Sequence, residues 1–109
     1  MIHTTVTFHV LPGKTEEFEA RHRHLLEVMS AQTGCVEMSV DRSLANPLEY
    51  LVLGTWTDKQ SWERAHQNND QFKSLFSSLP IERHTLSLAS FFEPAYAFAG
   101  AASGERSTR

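Results

Sequence analysis

The chain has 109 residues, 40% of them hydrophobic and 21% charged. That is one domain's length with ordinary globular usage, which excludes intrinsic disorder for its body. Ten Lys and Arg against thirteen Asp and Glu leave a net charge of −3, too little positive charge to expect nucleic acid or an anionic membrane as the main partner. The longest apolar run, Leu51-Val52-Leu53, is far too short to cross a bilayer, and no charged-then-apolar leader opens the chain. The lone Cys35 cannot close an intrachain disulfide, so the expected location is cytoplasmic.

Residues 2–11 alternate, with Ile2, Thr4, Val6, Phe8 and Val10 facing one way and His3, Thr5, Thr7 and His9 the other. Period-2 spacing rich in β-branched residues predicts a strand, which Pro12-Gly13 ends. From Thr15 the period changes. Phe18, His22, Leu25, Leu26 and Met29 form the stripe of an amphipathic helix, with Glu16, Glu17 and Glu19 near its positive end and Gly34 as a left-handed stop.

Alternation resumes over 35–44, and the Asn46-Pro47 turn predicts a hairpin into a strand at 49–56. That strand is apolar on both faces: Tyr50, Val52 and Trp56 on one, Leu51 and Leu53 on the other. A doubly apolar strand in a two-layer domain implies that a second subunit covers the outer face. Thr57 with Gln60 predicts a capping box opening a short helix that carries Trp62, Ala65 and His66. Asn68-Asn69-Asp70 interrupts it and caps a second piece with Phe72, Leu75, Phe76 and Leu79 inward, ended by Pro80. Residues 82–93 predict a last strand. The domain is expected over 1–94, followed by an Ala/Gly/Ser-rich tail over 95–109.

The order β-α-β-β-α-β is that of a ferredoxin-like α+β sandwich, whose bare sheet face a symmetric homodimer would cover. Several segments on these elements resemble the antibiotic biosynthesis monooxygenase family of dimeric α+β barrel proteins. They are Leu11-Pro12-Gly13-Lys14 running into Phe18, Thr33-Gly34-Cys35, Arg42-Ser43 with Asn46-Pro47, and Trp56-Thr57-Asp58 followed by Trp62, Ala65-His66 and Phe72. The resemblance covers roughly residues 3–93 and implies a dimeric α+β barrel. It also implies oxygenation of phenols, quinols or anthrones by molecular oxygen without metal or flavin. The family's haem-degrading branch resembles the chain in the Trp ending strand three. However, Phe76 stands where that branch has an axial histidine, and Val6 or a neighbour where it has an asparagine.

The candidate chemistry rests on imidazole. His66 lies one turn after Trp62 on the face toward the sheet, where it could act as a base for a phenolic hydroxyl or anchor the broken helix through a backbone carbonyl. His22, polar within an apolar stripe, must meet a partner, a water or a ligand. Trp56, Tyr50, Phe72 and Phe76 are expected as hydrophobic walls for a flat aromatic substrate, Trp56 equally as a core residue.

His3 and His9 are six residues apart, about 20 Å along a strand, too far to share a metal. His22 and His24 diverge on their helix. No nucleophile elbow, phosphate-cradling glycine loop or metal-ligand spacing is present, so neither a metal nor another cofactor is expected. The alternative is a non-catalytic ligand-binding or stress-response dimer on the same scaffold.

Overall fold

The computed structural model describes residues 1–86 and 89–102. Strands β1 (Ile2–His9), β2 (Cys35–Arg42), β3 (Glu49–Trp56) and β4 (Ser90–Phe92) make one antiparallel sheet in the order β2-β3-β1-β4. Helices α1 (Thr15–Ser30), α2 (Lys59–His66) and α3 (Asp70–Ser77) pack on one face of it. This is the ferredoxin-like arrangement that the alternating periods imply.

The register follows from the patterning. β1 pairs Val6 with Val52 and Phe8 with Tyr50, so the apolar sets of both strands share the helix-covered face. Phe8, Phe18, Tyr50, Val52 and Trp56 are all buried there. The hairpin joining β2 to β3 is held by an Asx turn, in which Asn46 Oδ1 accepts from Leu48 N at 3.1 Å and Ser43 Oγ from Asn46 N at 3.0 Å. Gly34 has φ of +93°. A Cβ there would stand 2.4 Å from Ser61 Cβ, so this residue both turns the chain and lets α2 approach.

Two local details differ from the sequence reading. The N-cap of α2 is Asp58, whose carboxylate accepts from Ser61 N at 2.7 Å; Thr57 instead pairs its hydroxyl with that of Ser61 at 3.2 Å. An ionised acceptor at the positive end of the helix outcompetes a hydroxyl one residue earlier.

The last strand is also far shorter than residues 82–93. Ile81 forms a single bridge with Val10, and Arg83 then donates to the carbonyls of Phe76, Ser77 and Leu79, drawing the segment onto the end of α3. Ladder pairing resumes only at Ser90–Phe92, while Ser87 and Leu88 lie outside the described residues. The tail expected over 95–109 is described only to residue 102, and residues 93–100 carry no regular structure.

The break between α2 and α3 falls where expected. Asn68 takes φ of +54°, while Asn69 donates to Ala65 O at 2.9 Å and accepts from Phe72 N at 3.0 Å. One amide thereby closes the first piece and opens the second.

Candidate functional site

Between the inner sheet face and the three helices lies a cavity of about 390 Å³, within the usual range of small-molecule sites. β1 supplies Thr4, Val6 and Phe8, β2 and β3 supply Met38 and Val52, and α1 contributes His22, Leu25, Leu26 and Met29. The roof is Trp62 and His66 from α2, Phe72 and Phe76 from α3, and Leu86 and Ala89 beyond them. Apart from Thr4 and the two imidazoles, the lining is aliphatic, thioether and aromatic.

His66 is held rigidly. Its ring stacks on Trp62 with centroids 4.3 Å apart, meets the edge of Phe72 at 4.9 Å, and donates from Nδ1 to the Trp62 carbonyl at 2.7 Å. A carbonyl can only accept, so Nδ1 carries the proton and the Nε2 lone pair is left available. Burial lowers the pKa of this imidazole, and the Trp62 carbonyl offsets that only in part. The helix anchor and the proton acceptor, alternatives in the sequence, are thus two nitrogens of one ring.

His22 is only 3% exposed, stacked on Phe18 at 4.9 Å and edge-on to Phe8 at 5.5 Å. No hydrogen bond reaches it among the described residues. Burial drives its pKa down to about 4, so the ring is neutral at physiological pH. It also lines a second cleft of about 260 Å³ with Glu19, Arg23, Arg42 and Tyr50.

Of the six residues the sequence nominates, four line the main cavity: His22, His66, Phe72 and Phe76. Trp56 and Tyr50 do not. Trp56 is fully buried behind His66, with ring centroids 6.0 Å apart, and its indole N–H has no partner among the described residues. Tyr50 sits beyond Phe18 and donates its hydroxyl to Glu19 Oε2 at 2.6 Å; burial first, and then that carboxylate, raise its pKa, with Arg42 opposing. Both lie on the β3 face toward the helices, but α1 and α2 cover them before the cavity begins.

The sequence reading missed Thr4, Val6 and Met38 as lining residues. Their alternation put them on the inner face, though nothing in it distinguished cavity from packed core. Among the described residues no three His, Cys, Asp or Glu side chains converge as metal ligands, and no helix is long and apolar enough to cross a membrane.

The family model for "antibiotic biosynthesis monooxygenase" matches residues 1–77. The chain belongs to the antibiotic biosynthesis monooxygenase family. Its fold is similar to that of a conserved protein from Methanosarcina mazei Go1, with TM-score 0.76, 23% identity, and coverage of 86% of this chain and 92% of that one. It is similarly close to SnoaB, a cofactor-independent oxygenase from Streptomyces nogalater, with TM-score 0.75, 19% identity, and coverage of 91% and 97%. At these identities the likeness speaks for fold alone.

A 54-residue stretch is 35% identical to N-terminal EF-hand calcium-binding protein 1 of Mus musculus, spanning 50% of this chain and 15% of that protein. The human protein of that name is 30% identical over 60 residues, spanning 55% and 17%. The chain therefore spans only a small part of these curated relatives.

Proposed function

We propose that this family member is a cofactor-independent monooxygenase acting on a phenol, quinol or anthrone-like aromatic, working as a cytoplasmic homodimer whose subunits meet through their bare sheet faces. The observation that carries the activity is the pairing of an apolar cavity with one imidazole whose Nε2 is unprotonated and whose orientation is fixed. The half-buried thiol of Cys35 suits a reducing compartment. We take residues 1–94 as the catalytic domain.

An anthrone supplies its own electrons. His66 Nε2 takes a proton from the bound ring, and the resulting anion passes one electron to O₂. The two radicals combine into a C–O bond, and the proton held on His66 Nε2 passes to the resulting peroxide anion, giving a hydroperoxide and restoring the free base. Loss of the remaining C–H proton breaks the O–O bond, leaving a carbonyl and one water. The sum is R₂CH₂ + O₂ → R₂C=O + H₂O, with carbon oxidised by four electrons and O₂ reduced by the same four.

A phenol with a pKa near 10 facing an imidazole near 6.5 makes the first transfer uphill by about 3.5 units, or roughly 5 kcal/mol. Burial of His66 adds to that. The step still fits within a barrier of roughly 16 kcal/mol, the value for about 10 turnovers per second. Trp62, Phe72 and Phe76 hold the ring and keep bulk water away from the peroxide. His22, neutral by burial, is a second acceptor, presented to the cavity from α1.

Metal-stripped protein given anthrone or 1,4-naphthohydroquinone should consume O₂ faster than buffer. His66→Ala should abolish that excess while leaving the melting temperature within a few degrees. Unchanged turnover in the variant removes the role given to His66. A ligand-induced rise in melting temperature without O₂ uptake would identify a binding protein instead.

A further inference from the structure

We propose that residues 93–100 form an arm that crosses to a second copy of this chain and seats Tyr96 and Phe98 in a groove on the outer face of its sheet. This rests on the homodimer reading above and adds to it a defined element of exchange.

The arm presents two large aromatic side chains to solvent, Tyr96 at 86% and Phe98 at 89% exposure, and they contact each other at 6.0 Å. Adjacent rings this bare are a binding surface awaiting its partner. The groove, of about 390 Å³, lies on the sheet face opposite the helices. Leu53 and Phe92 give it an apolar floor, while Glu37, Ser39 and Thr55 add acceptors suited to a tyrosine hydroxyl.

Position links arm to groove. Phe92 is the last residue of β4 at one edge of the sheet; it pairs with His3, lines the groove and is itself 54% exposed. Ladder pairing ends at Phe92, Pro94 two residues on has no N–H to resume it, and the chain beyond carries no regular structure. Facing sheets pack about 10 Å apart. The four residues from Phe92 to Tyr96, extended, reach about 13 Å, enough to cross that gap. In a twofold pair the exchange is reciprocal: each arm leaves from the rim of one groove and enters the other.

Sedimentation of the full chain should show a dimer at micromolar concentration. A chain ending at Glu93, and the double variant Tyr96→Ser/Phe98→Ser, should keep the monomer's circular dichroism but weaken dimerisation by at least about 100-fold, as the loss of two buried aromatic anchors implies. In a Cys35→Ser background, mixing the Ser39→Cys and Tyr96→Cys proteins under mild oxidant should give a mixed disulfide between chains. A monomeric full chain would overturn the homodimer reading itself. A dimer as tight without the arm, or no mixed disulfide between dimeric chains, would overturn the arm exchange alone.

Discussion

Acidification should destabilise this protein through His22 at a pH where its carboxylates are still ionised. In the fold the ring stays neutral down to about pH 4 because burial penalises its charged form. In the unfolded chain it takes a proton near pH 6.5. Between those values the unfolded state binds more protons, so stability rises with pH across the window and is lost as pH falls through it. Linkage with these two pKa values costs about 2 kcal/mol at pH 5 and about 3 kcal/mol at pH 4, relative to pH 7. At roughly 4 °C per kcal/mol for a domain of this size, the melting temperature at pH 5 should lie about 8 °C below that at pH 7.

His66 adds in the same direction, since burial lowers its pKa too. Asp58, whose pKa is depressed by its bond to Ser61 N, acts below the carboxylate range and leaves the pH 5–7 window alone. Calorimetry from pH 7 to 5 on the wild type and His22→Gln tests this, the variant being expected to flatten most of the slope. A wild-type profile as flat as the variant's would show that the ring does not lie neutral and buried at this wall.

Gly34→Ala should cost about 2–4 kcal/mol, since φ of +93° strains any side chain and the new methyl would press on Ser61; a denaturant midpoint equal to the wild type's would refute that account of the turn. Val6→Phe should extend a ring into the cavity that Val6 lines, leaving the melting temperature unchanged or higher while abolishing the rise produced by 2-naphthol. Retention of the full rise would place the ligand elsewhere.

The fold was legible because its signals are strong and mutually consistent. Strict alternation in β1, the short apolar run of β3 after the Asn46-Pro47 turn, the 3.6-residue stripe of α1, and the Asn68-Asn69 break each name one element, and their order leaves few topologies. The last strand misled for a definite reason. Leu86, Leu88, Ser90 and Phe92 alternate as a strand should, yet Arg83 gains three carbonyl partners by leaving the sheet. A long-range capping interaction of that kind leaves no periodic trace.

Within the candidate site, the face of each residue could be read but not its depth. His22, His66, Phe72 and Phe76 reach the cavity, whereas Trp56 shares their face and is covered by His66. Whether an inward side chain is wall or filling depends on how far the helices stand off the sheet, and that distance is set by packing across elements.

The roof of the cavity consists of two eight-residue helices meeting at a single left-handed residue, with one asparagine amide fastened to both. Such a joint is a natural point of divergence. A residue gained or lost there would swing Phe72 and Phe76 relative to His66 while leaving every strand pairing intact. Descendants of one scaffold could in this way accept ligands of different outline without renegotiating the sheet that supports them.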